Sequence, residues 1–174
     1  MRRFLDRLYA VSGALAALSI VGICLIVTAQ VLFNLVARIM GPGWSYTIPS
    51  YADFAGFMLA AATFLALAYT LRHGAHIRVT LVSQTLPKAG QFVAELICFV
   101  LGLIITGYAF YYFVLLVWES WHFGDKSPGI IAVPLWIPQT AAAVGLGILV
   151  IALIDSIVES LRAKAPILGA GEEV

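Results

Sequence analysis

Four stretches of this 174-residue chain are long enough to cross a bilayer and carry no charged side chain: Leu8 to Ala37, Phe54 to Leu71, Leu96 to Trp118 and Ser127 to Ile154. A hydrocarbon core about 30 Å thick takes roughly 20 helical residues, and within it only helices or closed barrels satisfy their own backbone polar groups. Barrel strands would alternate in polarity over about ten residues. The segments GALAALSIVGICLIVTAQVLF and FAGFMLAAATFLALAYTL are instead apolar on every side. The expected fold is an all-α membrane protein with four transmembrane helices in one bundle. Composition agrees, with 62% apolar and 11% charged residues, far from the soluble average of about 45–50% and 25%.

The charges, few as they are, orient the chain. With a cytoplasmic N-terminus, Arg2, Arg3, Arg7, Arg72, Arg78, Lys88, Arg162 and Lys164 collect on the cytoplasmic side and only Arg38 and Lys126 lie outside. The positive-inside bias therefore predicts both termini in the cytoplasm. The first residues imitate a signal peptide, but the apolar run continues well past the short core of such a peptide, so an uncleaved first helix is expected. Cys24 and Cys98 fall inside apolar runs and give no support to a disulfide framework.

Helix breakers set the boundaries. Gly41, Pro42 and Gly43 end the first span, and the second opens beyond Pro49 near Asp53, an acid suited to a helix N-terminus. Gly124, Pro128, Gly129 and Pro134 punctuate the connection between the third and fourth spans. The reading is a single domain over 1–164, with spans near 8–39, 53–71, 92–118 and 134–161, and a short, disordered cytoplasmic tail at 165–174. Between the second and third spans, Ile77, Val79, Leu81, Val82 and Leu86 are interspersed with Arg78 and Lys88, which fits a short amphipathic interfacial helix. A solvated loop is the alternative. The basic residues there also suit anionic phospholipid headgroups.

Candidate chemistry is sparse. An ionisable residue at bilayer depth usually marks an ion or proton path, but Asp53, Glu95, Glu119 and Asp155 all stand at or near span ends. His73, His76 and His122 lie outside the spans, where they make poor haem ligands. His73 and His76 have a metal-compatible spacing but no accompanying carboxylate or cysteine. No nucleophile elbow, HExxH or phosphate loop occurs, and no basic cluster suits nucleic acid. A non-enzyme is expected, without catalytic, metal or substrate-binding residues and without cofactor.

What remains is contact. Gln30, Asn34 and Arg38 recur every four residues on one face of the first span, a polar stripe for interhelical hydrogen bonds within the chain or for a partner subunit. Small residues at Gly56, Ala60, Ala61, Ala62, Ala66 and Ala68, and at Ala141, Gly145 and Gly147, permit close helix approach. Trp44, Trp118, Trp121 and Trp136 gather near the outer interface, as an aromatic belt or as anchors for an extracytoplasmic protein.

The chain resembles the small membrane subunit, the Q subunit, of tripartite ATP-independent periplasmic (TRAP) transporters over nearly its whole length. The most specific segment is FLALAYTLRHGAHIRVTLVSQTLP, where Leu71, Arg72, Gly74, His76, Ile77, Arg78, Val79, Leu86 and Pro87 match the family's pattern. Asn34 with Arg38, the Ile48-Pro49 step with Asp53, and VPLWIPQ at the start of the fourth span are weaker echoes. Thr80 departs from it where the family often has an acid, and Ser50, Ala52 and Asp53 stand where the family often has a tryptophan and paired acids before span 2. The resemblance implies a bacterial inner-membrane scaffold beside a large membrane subunit, the M subunit. That assembly imports a carboxylate-type solute on a sodium gradient, after capture by a periplasmic substrate-binding protein. Arg38, Trp44 and Asp53 are then expected at the outer rim with Gln30, Asn34 and Trp136. His76 and Arg78 are expected to fix the cytoplasmic connector against partner helix ends or phospholipid phosphates, and Arg72 is a further candidate contact to partner or lipid, with ordinary positive-inside anchoring as the alternative for Arg72 and Arg78. The rival expectation is a stand-alone four-helix channel or exporter acting as a homo-oligomer.

Overall fold

The structure, a computed structural model, describes residues 2–73 and 87–163. It is all-helical: α1 (Arg2–Met40), a single 3-10 turn (Pro42–Trp44), α2 (Tyr51–Arg72), α3 (Lys88–Phe123) and α4 (Trp136–Ala163). These four helices are long and apolar enough to cross a membrane. The interfacial helix expected between spans 2 and 3, with His76 and Arg78, and the tail at 165–174 lie outside the described residues.

Backbone chemistry explains the helix ends. Gly41 takes φ 95° just after α1 and Gly124 takes φ 69° just after α3, the left-handed geometry that closes a helix C-terminus without a Cβ penalty. The Gly124 N–H reaches back to the Ser120 carbonyl at 3.1 Å. At 39 and 36 residues, α1 and α3 measure about 59 and 54 Å, far more than the hydrocarbon core requires.

The helices are neighbours in the order α1, α2, α4, α3, and α1 meets α4 only briefly. Every helix contributes to the main core, Tyr9 from α1, Ala68 and Leu71 from α2, Phe99 from α3, and Ile148, Leu149, Ala152 and Leu153 from α4. Small residues let backbones approach, as membrane helices require when no water is there to drive them together. A Cβ on Gly145 would lie 2.5 Å from the carbonyl carbon and oxygen of Phe64, so α4 touches α2 backbone to backbone. Gly13 faces the Tyr69 ring, and Ser12 Oγ donates to the Leu65 carbonyl at 2.5 Å, joining α1 to α2 inside the membrane span. Outward surfaces of α1 and α3 are broadly aliphatic, with Leu18, Leu25, Ile104 and Ile105 all well exposed. In water such a surface would aggregate; in lipid it is solvated.

Candidate partner interface

The two ends of the molecule are built differently. One end bears the two described loops, and the other bears the start of α1 and the end of α4 with Arg72.

At the loop end, the polar stripe of α1 turns inward to hold a loop. Gln30 is only 3% exposed. Its side-chain oxygen accepts the Ile48 N–H at 2.8 Å, and its Nε2 donates to Asn34 Oδ1 at 3.0 Å. A buried amide in this position costs free energy unless bonded; here the connector between α1 and α2 supplies the bond. Asn34 itself is exposed, as is Arg38 in the last turn of α1. Trp44 stands on the same connector, 55% exposed, and the Tyr46 ring lies 6.5 Å from that of Phe33.

The second connector folds into a tight hairpin. Ser127 N–H donates to the Val133 carbonyl at 2.8 Å, Leu135 N–H donates to the Asp125 main-chain carbonyl at 3.0 Å, and the buried Ser127 hydroxyl takes the Val133 N–H at 3.0 Å. This hairpin leans on the start of α2. Ser50 Oγ accepts the Ile131 N–H at 2.9 Å, and Gly129 packs so closely on Ser50 and the Asp53 carboxylate that an added Cβ would displace the carboxylate. Ser50 itself is held at φ 56°, a conformation that costs a non-glycine residue about 1–2 kcal/mol. Ile130 projects from the hairpin almost fully into solvent. Trp136 opens α4 edge-on against the exposed Trp121, with centroids 4.8 Å apart.

Of the residues singled out in the sequence, Gln30, Asn34, Arg38, Trp44, Asp53 and Trp136 thus lie at one end, and Arg72 lies at the other. The Arg72 side chain is only 12% exposed. Its Nη1 reaches Glu159 Oε2 at 3.0 Å, Asp155 Oδ2 at 3.6 Å and Ser156 Oγ at 3.4 Å. The guanidinium also sits 5.9 Å from the centroid of the buried Tyr9 ring, within cation–π range. Arg2 pairs with the same Glu159. One cation of α2 therefore ties α1, α2 and α4 together. His76 and Arg78 fall outside the described residues.

Sequence reasoning named Gly129 only as a helix breaker and gave Ser50 and Ser127 no contact, because serine and glycine in a loop carry no such signal until the other loop is placed against them. It also passed over Tyr108, Tyr111 and Tyr112. The signal for those was the run YAFYYF in the middle of a span, away from the interface where tyrosine usually sits. A groove of about 650 Å³ runs between α3 and α4, lined by Phe110, Val114, Ala143, Val144 and Gly147. Thr140 is its polar residue, and its hydroxyl already donates to the Trp136 carbonyl at 2.6 Å. The rest of that lining is apolar.

The family model described as "Tripartite ATP-independent periplasmic transporters, DctQ component" matches residues 23–163 of the chain. No curated protein matches it.

Proposed function

Given that the chain belongs to the DctQ family of TRAP transporter components, we propose that it is the fixed frame of an importer, packing beside the large membrane subunit and helping receive the periplasmic substrate-binding protein. Solute and sodium pass through the large subunit, and the solute is of the carboxylate type. The observation that carries the docking half of this reading is the loop end itself. Two connectors are tied to each other and to α1 through Ser50–Ile131 and Gln30–Ile48, and they present Trp44, Trp121 and Ile130 outward. Rigid, amphipathic aromatic side chains are what protein interfaces use as anchors. The charge bias supports placing that end outside the cytoplasm in a bacterial inner membrane, with both termini inside. A transport domain that moves needs a static element to move against. The clasp around Arg72 supports rigidity at the cytoplasmic end, where His76 and Arg78 hold the connector against partner helices or phospholipid phosphates.

The test is co-expression of this chain, tagged, with a candidate large subunit, followed by detergent purification, reconstitution and uptake with the binding protein. A stoichiometric complex whose sodium-dependent uptake needs this chain is the expected result. A self-assembly that moves solute alone would overturn the reading and favour a stand-alone channel or exporter.

A further inference from the structure

α3 sorts its aromatic residues in a way lipid does not explain. Within YAFYYF, Phe110 and Phe113 turn inward: the Phe110 ring lies 3.0 Å from where a Cβ on Gly147 would sit, and Phe113 packs on Phe64 with centroids 5.5 Å apart. Tyr108, Tyr111 and Tyr112 turn outward, 67%, 60% and 51% exposed. The hydroxyl-bearing rings therefore face out and the hydrocarbon rings face in, at the same depth.

That depth is the middle of the span. Glu95 and Glu119 bracket the charge-free stretch of α3, and Tyr108 stands one residue past its midpoint. Tyr111 and Tyr112 are about 6–8 Å from the midpoint by helical rise, well inside a half-core of about 15 Å. Helical side chains lean toward the helix N-terminus, so these rings point away from the nearer interface at Glu119 and do not snorkel to it. Tyr108 and Tyr112 contact at 4.6 Å and Tyr111 and Tyr112 at 5.4 Å between centroids. A hydroxyl shared between Tyr108 and Tyr112 still leaves one O–H donor, and Tyr111 adds another. Lipid tails accept neither. Leu101, Ile104, Ile105, Leu115 and Leu116 are exposed as well, so the outer face of α3 stands open around this patch.

We infer that the outer face of α3, centred on Tyr108, Tyr111 and Tyr112, is where a transmembrane helix of the large subunit seats, offering side-chain amides, hydroxyls or freed main-chain carbonyls to the phenol groups. The inference rests on the proposed frame function and names the surface that function uses. Hydrogen bonds between membrane helices are worth little singly, and two of them together set complex affinity by roughly five- to tenfold.

A photoreactive benzophenone amino acid replaces Tyr108 or Tyr111 in the chain co-expressed with the large subunit, and membranes are irradiated. The expected result is an adduct between the two subunits. An adduct between two copies of this chain would overturn the inference. So would the absence of any adduct while the unmodified subunits still co-purify, an outcome that leaves the frame function standing. Failure to co-purify at all removes that function and this surface with it. The isosteric triple variant Tyr108→Phe, Tyr111→Phe, Tyr112→Phe keeps the rings and removes only the hydroxyls. It should cut recovery of the complex roughly five- to tenfold while leaving the melting temperature of the isolated chain unchanged. Unchanged recovery would overturn the role given to the hydroxyls.

Discussion

Gly145 and Gly56 look alike in the sequence, each a small residue in an apolar span, and the structure separates them. A Cβ on Gly145 meets main-chain atoms of Phe64 at 2.5 Å and the Leu65 nitrogen at 2.9 Å, none of which can rotate away, whereas one on Gly56 meets nothing within 4 Å. Gly145→Ala must therefore push α4 off α2, and it should destabilise the protein by about 1–3 kcal/mol. Gly56→Ala should stabilise it by up to about 1 kcal/mol through helix propensity alone. Melting temperatures in detergent check the pair, and equal shifts would contradict the close α2–α4 contact. A sequence carries the size of a side chain but not its neighbour. The same limit applies to Phe110 and Tyr111, adjacent aromatics of which one is half-buried and packs on Gly147 of α4 while the other faces out.

Among the elements, α2 is fastened at both ends, and each fastening makes its own prediction. Arg72 holds two α4 carboxylates while nearly buried, so Arg72→Met leaves Asp155 without its guanidinium and Glu159 with Arg2. The loss should be about 1–3 kcal/mol, below the figure for fully buried pairs because the carboxylates are partly exposed. Arg2→Ala removes an exposed cation and should cost under about 1 kcal/mol. A melting series reads both, and a larger loss for Arg2→Ala would contradict the central place of Arg72. At the other end, Ser50→Ala deletes the acceptor of the Ile131 N–H, and exchange of that amide should quicken by about tenfold. The Ser127 and Leu135 amides, bonded within the hairpin, should change less; uniform quickening would mean that the hairpin is not an independent unit. The four helices were legible because apolar length is a direct physical requirement of the bilayer. The cross-ties were not, since Arg72 with Glu159 and Ser50 with Ile131 join residues more than eighty positions apart.

For the whole molecule, the helix order α1, α2, α4, α3 leaves α1 and α3 with broad outward faces, a shape suited to lying against something larger in the membrane. Which end of it faces the cytoplasm decides what the loop end can meet. Arg2, Arg3, Arg7, Arg72, Lys88 and Arg162 lie in the terminal turns at one end of the helices, against Arg38 and Lys126 at the other. Such a bias predicts the basic end in the cytoplasm, because translocating basic residues near span ends is unfavourable. The prediction is tested in a background lacking Cys24 and Cys98, both free and on outward positions. A cysteine introduced as Lys126→Cys should react with a membrane-impermeant maleimide added to the periplasmic side, while Arg162→Cys should react only after the membrane is permeabilised. The reverse pattern would turn Trp44, Ile130 and Trp121 toward the cytoplasm, out of reach of any periplasmic protein. It would remove the docking half of the proposed function and leave the outward face of α3, which lies within the membrane either way, as the surface the proposal assigns to the large subunit.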